Sequence, residues 1–221
     1  IEHYNKWQSV NDIFPINNVG IVTERDELTI KWNATEMLAT VRMFSKMDVE
    51  LAMQTYNLGK DVRDWKVSLA QEDLNKSNTS PERVVPILYR PFDTRFTYYT
   101  GVSRGFHCMP RGDVMQHILR ENIGLTIGRQ GQVVGLENSW NLAFVTEEII
   151  DFNLFYRGGE ILFPLYLYPL EEKKKKSVQA LMMFESEPEY GKKGKKPNIA
   201  PKVFEQLEKA YKKKPTTEQI L

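Results

Sequence analysis

The stretch that decides the fold runs over residues 89–115 and reads "YRPFDTRFTYYTGVSRGFHCMPRGDVM". It combines closely spaced aromatic side chains with four arginines, and it contains no lysine. From Val84 onward the chain alternates in part like β-strands, interrupted by Pro86 and Pro91, so strands are expected here. Such a stretch fits the lining of a catalytic pocket, a surface that reads nucleic acid, or a densely packed sheet.

On the C-terminal side of this stretch, apolar spacing predicts a short helix, three strands and a final helix. The short helix, "GDVMQHILREN", has Gly112 or Asp113 as its cap and gathers its apolar residues on one face. The strand candidates are the apolar segments at 123–130, 141–150 and 161–170, and the final helix spans 201–213.

On the N-terminal side, most of the predicted structure is helical. Residues 11–32 are typical of short strands and turns, with Asn and Gly as breakers. The apolar period changes at Thr35 and indicates one helix or two short ones up to Tyr56. A further helical segment spans 62–76, and the turn "SNTSPE" at 77–82 marks the boundary of this part.

Together these elements predict an α/β (α+β) fold in two parts. A helical part is expected over residues 1–80, and a mixed-sheet domain over residues 84–221. The second part contains a lysine-rich loop at 171–197.

The two kinds of basic residue are segregated along the chain, although the net charge is only +1. Residues 77–172 carry eight arginines and no lysine, whereas residues 173–221 carry thirteen lysines against six acidic residues. A basic tail indicates a polyanion as partner, and a solvated lysine-rich loop is the alternative. Lysine holds phosphates without reading sequence, whereas the planar fork of arginine can read guanine edges.

The composition also indicates the cellular environment in which the protein is expected. No run of about 18 apolar residues exists, and the N-terminus lacks the layout of an export signal, so no membrane partner is expected. Cys108 is the single cysteine, which predicts a reducing, cytoplasmic setting. The chain starts without Met and stops inside a helix-like segment, "TTEQIL", so we expect a fragment of a longer protein.

The motifs of several enzyme classes are absent. There is no GxxxxGK[ST] phosphate loop and no GxGxxG dinucleotide turn, and no clustered ligands complete a metal site. A nucleophile pair is formally available from Cys108 with His107 or His117. Adjacent residues of a strand point to opposite faces, so His107 is badly placed to activate Cys108. No catalytic or metal-binding residue is therefore predicted, and a small Cys-dependent enzyme is kept as an alternative.

The residues of the opening stretch suit binding better than catalysis. Asp93 lies two residues before Arg95 on the same strand face and could hold that guanidinium in place. Tyr98 and Tyr99 offer rings for stacking on a base or packing against a sugar. The alternative is that the aromatic residues form a core and that Arg90 and Asp93 form a buried ion pair. A structural or protein-interaction domain therefore stays open beside nucleic-acid binding.

Several blocks of the sequence resemble one protein family. "YRPFDTRFTYYTGVSRGFHCMPRGDVMQHILRENIGLTIGRQ" is similar to the C-terminal part of large single-chain restriction–modification enzymes, the type ISP and related type IIG-like proteins. "FPINNVGIVTERDELTI", "YNLGKDVRDWKVSLAQEDL" and "FPLYLYP" match further blocks of that family in the same order. The resemblance covers residues 12–170 and continues weakly to the end.

The resemblance implies a coupler over residues 1–80, following a methyltransferase domain of the same polypeptide, and then a target-recognition domain that binds double-stranded DNA. The parent enzyme would use S-adenosylmethionine for adenine-N6 methylation and Mg²⁺ for cleavage. No NPP[YF] or FxGxG motif occurs in the 221 residues, so no cofactor is expected in this chain and it should be catalytically silent by itself. The expected base readers are Arg95, Arg104, Arg111, Arg129 and Gln130. The expected phosphate contacts are Lys173, Lys174, Lys175, Lys176, Lys192, Lys193, Lys195 and Lys196.

Overall fold

The computed structural model describes residues 24–59, 65–128, 143–155, 159–169 and 194–220, and these ranges contain both helices and mixed small sheets, as an α/β fold requires. The predicted strands at 11–23 lie outside the described residues. None of the helices within these ranges combines the length and apolar content that crossing a bilayer demands. The α-helices are α1 (Glu24–Thr29), α2 (Ala34–Phe44), α3 (Val49–Thr55), α4 (Val67–Lys76), α5 (Gly112–Ile118) and α6 (Pro201–Tyr211).

The first helix corrects the prediction of strands and turns for residues 24–32. α1 carries acidic residues throughout its first turn, where they stabilise the positive end of the helix dipole. Its Leu28 is fully buried, so one face of the helix packs on the core while the acidic residues hold the helix start. The β-branched residues that suggested strands lie mainly before this helix.

Two short helices, rather than one, follow from residue 34. The side chain of Asn33 caps α2 by accepting a hydrogen bond from the backbone nitrogen of Glu36 at 2.8 Å. Asp48 caps α3 in the same way toward Glu50 at 2.9 Å. A second capping residue within the apolar period starts a new helix, which is why the segment divides.

The first sheet is built on the opening stretch and has the strand order β2-β1-β5. Its strands are β1 (Val84–Arg90), β2 (Asp93–Tyr98) and β5 (Ile149–Ile150). β1 and β2 form an antiparallel hairpin, and β5 pairs parallel to β1. The hairpin turns at Phe92, which has a positive φ of 60°, and Lys31 forms a bridge to Phe96 on the outer edge of β2. The predicted strand pair is confirmed.

The remaining strands form a second three-stranded sheet and a small ribbon. The second sheet has the order β4-β3-β6, with β3 (Gly124–Ile127), β4 (Ala143–Thr146) and β6 (Ile161–Pro164). The ribbon pairs β7 (Tyr166–Leu167) with β8 (Lys196–Pro197). The apolar run at 161–170 thus divides between two sheets, because Leu165 leaves β6 and donates its backbone N–H to Ile123 at 2.8 Å.

The residues of the opening stretch join two hydrophobic clusters. Tyr98 and Phe106, both fully buried, pack with the helices α1 to α4. Tyr89 and Tyr99 belong to the other cluster, which lies under β1, β5 and α5. The helical part and the sheet part therefore share core contacts through this stretch, and the division at residues 80–84 stays a prediction.

Candidate functional site

Arg90 is a buried structural arginine at the end of β1. Its side chain is 4% exposed, and its Nη1 lies 2.9 Å from Oδ1 of Asp151. Its Nη2 lies 3.7 Å from Oδ2 of Asp26 on α1. The expected ion pair with Asp93 is not formed, and the carboxylate of Asp93 pairs with Arg95 instead. Arg90 therefore links α1 to the first sheet, and its two carboxylate partners compensate its buried charge.

Arg95 is held in place by Asp93, as the two-residue spacing predicted. Its Nε lies 3.1 Å from both carboxylate oxygens, and its Nη2 lies 2.8 Å from Oδ2. The guanidinium also stacks on the ring of Trp32 at 3.8 Å and faces the ring of Tyr89 at 4.6 Å. The planar fork that would read a base is thus occupied by Asp93 in this conformation.

Arg111 precedes α5 and turns inward rather than toward solvent. Its φ of 46° lies in the left-handed region, and its Nη1 donates to the backbone carbonyl of Glu160. Because Arg111 takes the position before the first helical residue, neither Gly112 nor Asp113 is the helix cap. Its Nε and Nη2 have no hydrogen-bond partner among the described residues.

The carboxylate of Glu160 lies beside Arg111 and is almost completely buried. Burial raises the pKa of Glu160 to about 7, against the opposing effects of a hydrogen bond from Thr126 and the charge of Arg111. Below about pH 7, the protonated form of the Glu160 side chain is therefore more stable in this buried position than the carboxylate. This part of the opening stretch forms an interior polar cluster.

Arg104 differs from these three arginines, because it is exposed on the loop 100–111 between β2 and α5. The loop is anchored to α4 by the buried carboxylate of Asp73. Oδ2 of Asp73 accepts a hydrogen bond from Thr100 Oγ1 at 2.8 Å and another from the backbone N–H of Phe106 at 2.9 Å. Trp65 donates its indole N–H to the carbonyl of Phe106 at 3.1 Å. Arg104 therefore sits between two points at which the loop is fixed.

Gly105 is required by the Asp73 anchor. A Cβ atom added at Gly105 would lie 2.3 Å from Oδ2 of Asp73, well inside van der Waals contact. The absence of a side chain thus lets the carboxylate approach the loop backbone closely. Position 105 is therefore a glycine for a packing reason. The close approach of Asp73 to the loop backbone holds the neighbouring backbone at Arg104 in position.

The C-terminal half of the loop is anchored to the interior as well. His107 Nδ1 lies 3.1 Å from Thr97 Oγ1, and burial lowers the pKa of His107 to about 4, so the imidazole stays neutral at physiological pH. Arg25 donates to Sγ of Cys108 at 3.3 Å. Burial raises the pKa of the Cys108 thiol, with the charge of Arg25 opposing it. A raised thiol pKa disfavours the nucleophilic thiolate that the Cys-dependent alternative needs.

A cleft of about 450 Å³ lies between α4 and the loop, next to Arg104. Lys76 and Arg83 lie on its rim, so three cationic side chains border one depression. The carboxylate of Glu72 lies 2.5 Å from Lys76 Nζ in an exposed ion pair, which adds little to stability. The hydroxyl groups on the cleft belong to Ser77, Thr100 and Ser103.

Tyr98 and Tyr99 lie in the interior instead of on a stacking surface. Tyr98 is fully buried and donates its hydroxyl to Ser77 Oγ at 2.9 Å. Tyr99 is 5% exposed and donates its hydroxyl to the carbonyl of Pro110. Their aromatic area is used for packing and their hydroxyls for holding loops, so neither ring is accessible to a base in this conformation.

The other predicted contact residues divide between described and undescribed parts. Lys195 places its Nζ 4.1 Å from the ring centroid of Tyr166, and Lys196 lies in β8. The predicted residues outside the described parts are Arg129, Gln130, Lys173, Lys174, Lys175, Lys176, Lys192 and Lys193.

Three residues at the Arg104 site were not selected from the sequence. Asp73 and Lys76 come from before the boundary turn and Arg83 directly follows it, and only the fold brings them beside the loop. The available signal was the position of Asp73 on the apolar side of α4, where a carboxylate needs a partner. The glycine at position 105 is the matching signal on the loop.

Comparisons with known proteins give one family and two similar structures. The family model of the Type ISP C-terminal specificity domain matches residues 12–221. The cryo-EM structure of a DrdV–DNA complex matches with a TM-score of 0.51 and 17% identity, over 92% of this chain and 18% of that one. A structure of the ATP-dependent Type ISP restriction–modification enzyme LlaBIII bound to DNA matches with a TM-score of 0.47 and 17% identity, over 91% of this chain and 12% of that one. No curated protein matches the chain.

The chain belongs to the family of Type ISP C-terminal specificity domains, as its sequence blocks predicted. Its function is accordingly target recognition within the restriction–modification class. The chain spans about 18% of the length of the first structure it matches.

Proposed function

We propose that this specificity domain binds double-stranded DNA and that Arg104 reads a base edge of the target. The observation that carries the proposal is the position of Arg104. Of the three predicted base-reading arginines that the structure describes, Arg104 is exposed, whereas Arg95 and Arg111 are partly buried.

The anchored loop supplies what base reading requires. An arginine fork forms two parallel hydrogen bonds to O6 and N7 of guanine, and this geometry tolerates little displacement of the backbone. Asp73 and Trp65 hold the loop on both sides of Gly105, so the backbone at Arg104 is supported by buried groups. Guanine in the major groove is the base that such an arginine recognises best.

The cleft beside the loop supports contact with the DNA backbone. Lys76 and Arg83 border the same depression as Arg104, and cationic side chains near a base reader position the duplex through its phosphates. We assign these two residues to phosphate contact. Lys195 and Lys196 keep their assignment to phosphates, together with the predicted lysines at 173–176 and 192–193.

The wider assembly is part of the same proposal. The sequence resemblance supports a methyltransferase domain in the same polypeptide, adenine-N6 as the modified position, S-adenosylmethionine as methyl donor and Mg²⁺ for cleavage. In that assembly the specificity domain would orient the duplex while the methyltransferase extrudes its adenine. The domain itself contributes positioning and no chemical step.

A selection experiment tests the proposed function. The chain is incubated with a pool of duplexes of random sequence, and the bound duplexes are recovered and sequenced at two salt concentrations. We expect enrichment of a short sequence that contains at least one G·C pair, retained at the higher salt concentration. Binding without any enriched sequence, or no binding at all, would contradict target recognition by this chain.

A further inference from the structure

Residues 194–220, the C-terminal segment, form a second positively charged surface apart from the Arg104 loop. We infer that the three consecutive lysines at its centre, Lys212, Lys213 and Lys214, contact the phosphate backbone of the DNA. This inference rests on the proposed function, because the polyanion is the target duplex. It adds three lysines that were not among the expected phosphate contacts.

The lysine turn is formed by the way α6 ends. Lys212 takes the left-handed conformation at the helix C-terminus, with φ of 54°, so the chain turns sharply at the first of the three lysines. All three residues are exposed, and α6 itself has no buried residue. The helix thus ends in a group of cations that point into solvent rather than into the fold.

The fold attaches both ends of the segment at one tyrosine. β8 pairs with β7, in the register Leu167 to Lys196. The hydroxyl of Tyr166 donates to the carboxylate of Glu218, and Lys195 lies over its ring. Lys214 is four residues before Glu218, and four residues of extended chain span at most about 14 Å. Lysines that are almost twenty positions apart in sequence therefore lie around the same tyrosine.

The charge balance of the described residues separates this segment from the rest. The C-terminal segment carries seven lysines and three glutamates, whereas the other described residues carry twelve basic and sixteen acidic side chains. The positive potential of the described structure is therefore concentrated on this segment. Several of the arginines elsewhere are also neutralised locally by carboxylates, as at Arg90 and Arg95.

The chemistry of the segment fits a phosphate backbone. Lysine is a compact point charge on a flexible stem, and it holds phosphates without requiring an exact geometry. B-form DNA carries one negative charge per about 1.7 Å of helix axis, so several phosphates lie within reach of a group of adjacent lysines. A weakly buried segment is sufficient for such contacts, because they carry no sequence information.

The test measures the salt dependence of DNA binding in two charge-matched variants. In one, Lys213 and Lys214 are both changed to Gln; in the control, Arg42 and Lys46 on the helical part are both changed to Gln. Each variant loses two exposed positive charges. Binding is measured on the target duplex and on an unrelated duplex over a salt series, and thermal unfolding confirms that both variants fold.

We expect the Lys213→Gln/Lys214→Gln variant to reduce the slope of log K against log salt by roughly one to two, since each lost phosphate contact lowers it by about 0.9. Its affinity should fall by the same factor on both duplexes, while the control variant keeps the slope of the unaltered chain. An unchanged slope, or an equal reduction in the control, would overturn the inference. Failure to prefer the target duplex in the unaltered chain contradicts the proposed function instead, so the two outcomes can be told apart.

Discussion

The loop 100–111 and the C-terminal segment 194–220 both present cationic side chains, but they are supported in opposite ways. The loop is anchored to the interior through the buried residues Asp73, Phe106 and His107. α6 in the C-terminal segment has no buried residue, and the segment is attached through the two-residue ribbon and the contacts of Tyr166. The anchored loop presents an arginine, and the weakly attached C-terminal segment presents lysines.

This difference follows from what each contact needs. A two-pronged hydrogen bond to a base edge fails when the guanidinium is displaced by a fraction of an ångström, so its backbone needs rigid support. A lysine near a phosphate gains Coulomb energy over a broad range of positions. Under the proposed function, the burial of the loop's anchors, rather than the number of its charges, distinguishes the base-reading site from the phosphate-contacting one.

The largest effect is expected from the buried arginine of the core. Arg90→Met removes the arginine that pairs with Asp151 and one of the two arginines that pair with Asp26, and breaking a buried pair costs about 3–5 kcal/mol. Arg104→Met, as the matched control on the loop, should change the free energy of unfolding by less than about 0.5 kcal/mol. Urea unfolding of both variants measures these two changes in the free energy of unfolding. Equal losses would show that the two arginines do not differ in their structural role.

The second effect is expected at the anchor of the loop. Asp73→Ala leaves the hydroxyl of Thr100 and the N–H of Phe106 without their acceptor, which costs about 1–3 kcal/mol of unfolding free energy. Glu72→Ala, one position earlier and exposed, is the control and should have little effect. Denaturation gives the free energies. Asp73→Ala should also reduce the preference for the target duplex, and retention of full preference would contradict the role of the anchor.

The third effect is a dependence on pH at Glu160. Its pKa in the folded protein is about 7, above its ordinary value, so the folded state retains a proton that the unfolded state releases. The stability that this group contributes is complete below about pH 4.5 and is lost as the pH rises through 7. Glu160→Gln keeps the neutral shape at every pH, so relative to the unaltered chain it should gain about 1–2 kcal/mol between pH 5 and pH 8.

Because His107 titrates in the same way in both proteins, its contribution cancels from this difference. Thermal or urea unfolding at the two pH values provides the measurement. A difference of the opposite sign would mean that Glu160 is held as a carboxylate by Arg111. That result would turn the interior cluster into a buried ion pair.

The smallest effect is expected at the attachment of the C-terminal segment. Tyr166→Phe removes the hydroxyl that binds Glu218 and keeps the ring under Lys195. Loss of one exposed hydrogen bond should cost less than about 1 kcal/mol globally. Hydrogen exchange should show faster exchange in α6, with the amides of the loop 100–111 unchanged. Faster exchange of the loop amides as well would indicate that the two regions are coupled.

Much of the element order followed from the sequence, because periodicity and turn residues act locally. The β1–β2 hairpin is an example in which a turn signal stands beside the apolar pattern, whereas the sequence left open whether one helix or two precede Tyr56. The helix at 24–29 was missed, since a six-residue helix shows less than two full turns of pattern. Its helical state depends on burying Leu28 against distant residues.

The candidate site was predictable by residue type but not by exposure. The sequence selected three described arginines as base readers. It predicted the pairing of Arg95 with Asp93, but it could not show that the backbone of Glu160 would engage Arg111. A carboxylate two residues away is visible in the sequence, whereas a backbone carbonyl 49 positions away depends on the packing of β6 against α5. The role of Asp73 likewise depends on tertiary contact across the boundary turn.

The central claim is that Arg104 reads a base from an anchored loop, and a base-by-base binding measurement with Arg104→Ala tests it most directly. Each position of the selected target is changed in turn, and the affinities of the variant and the unaltered chain are compared. We predict a loss of roughly 1–3 kcal/mol on the target and loss of discrimination at a single G·C pair, with the other positions read as before. A uniform loss over all duplexes, with discrimination retained at every position, would contradict the claim and reduce Arg104 to a phosphate contact.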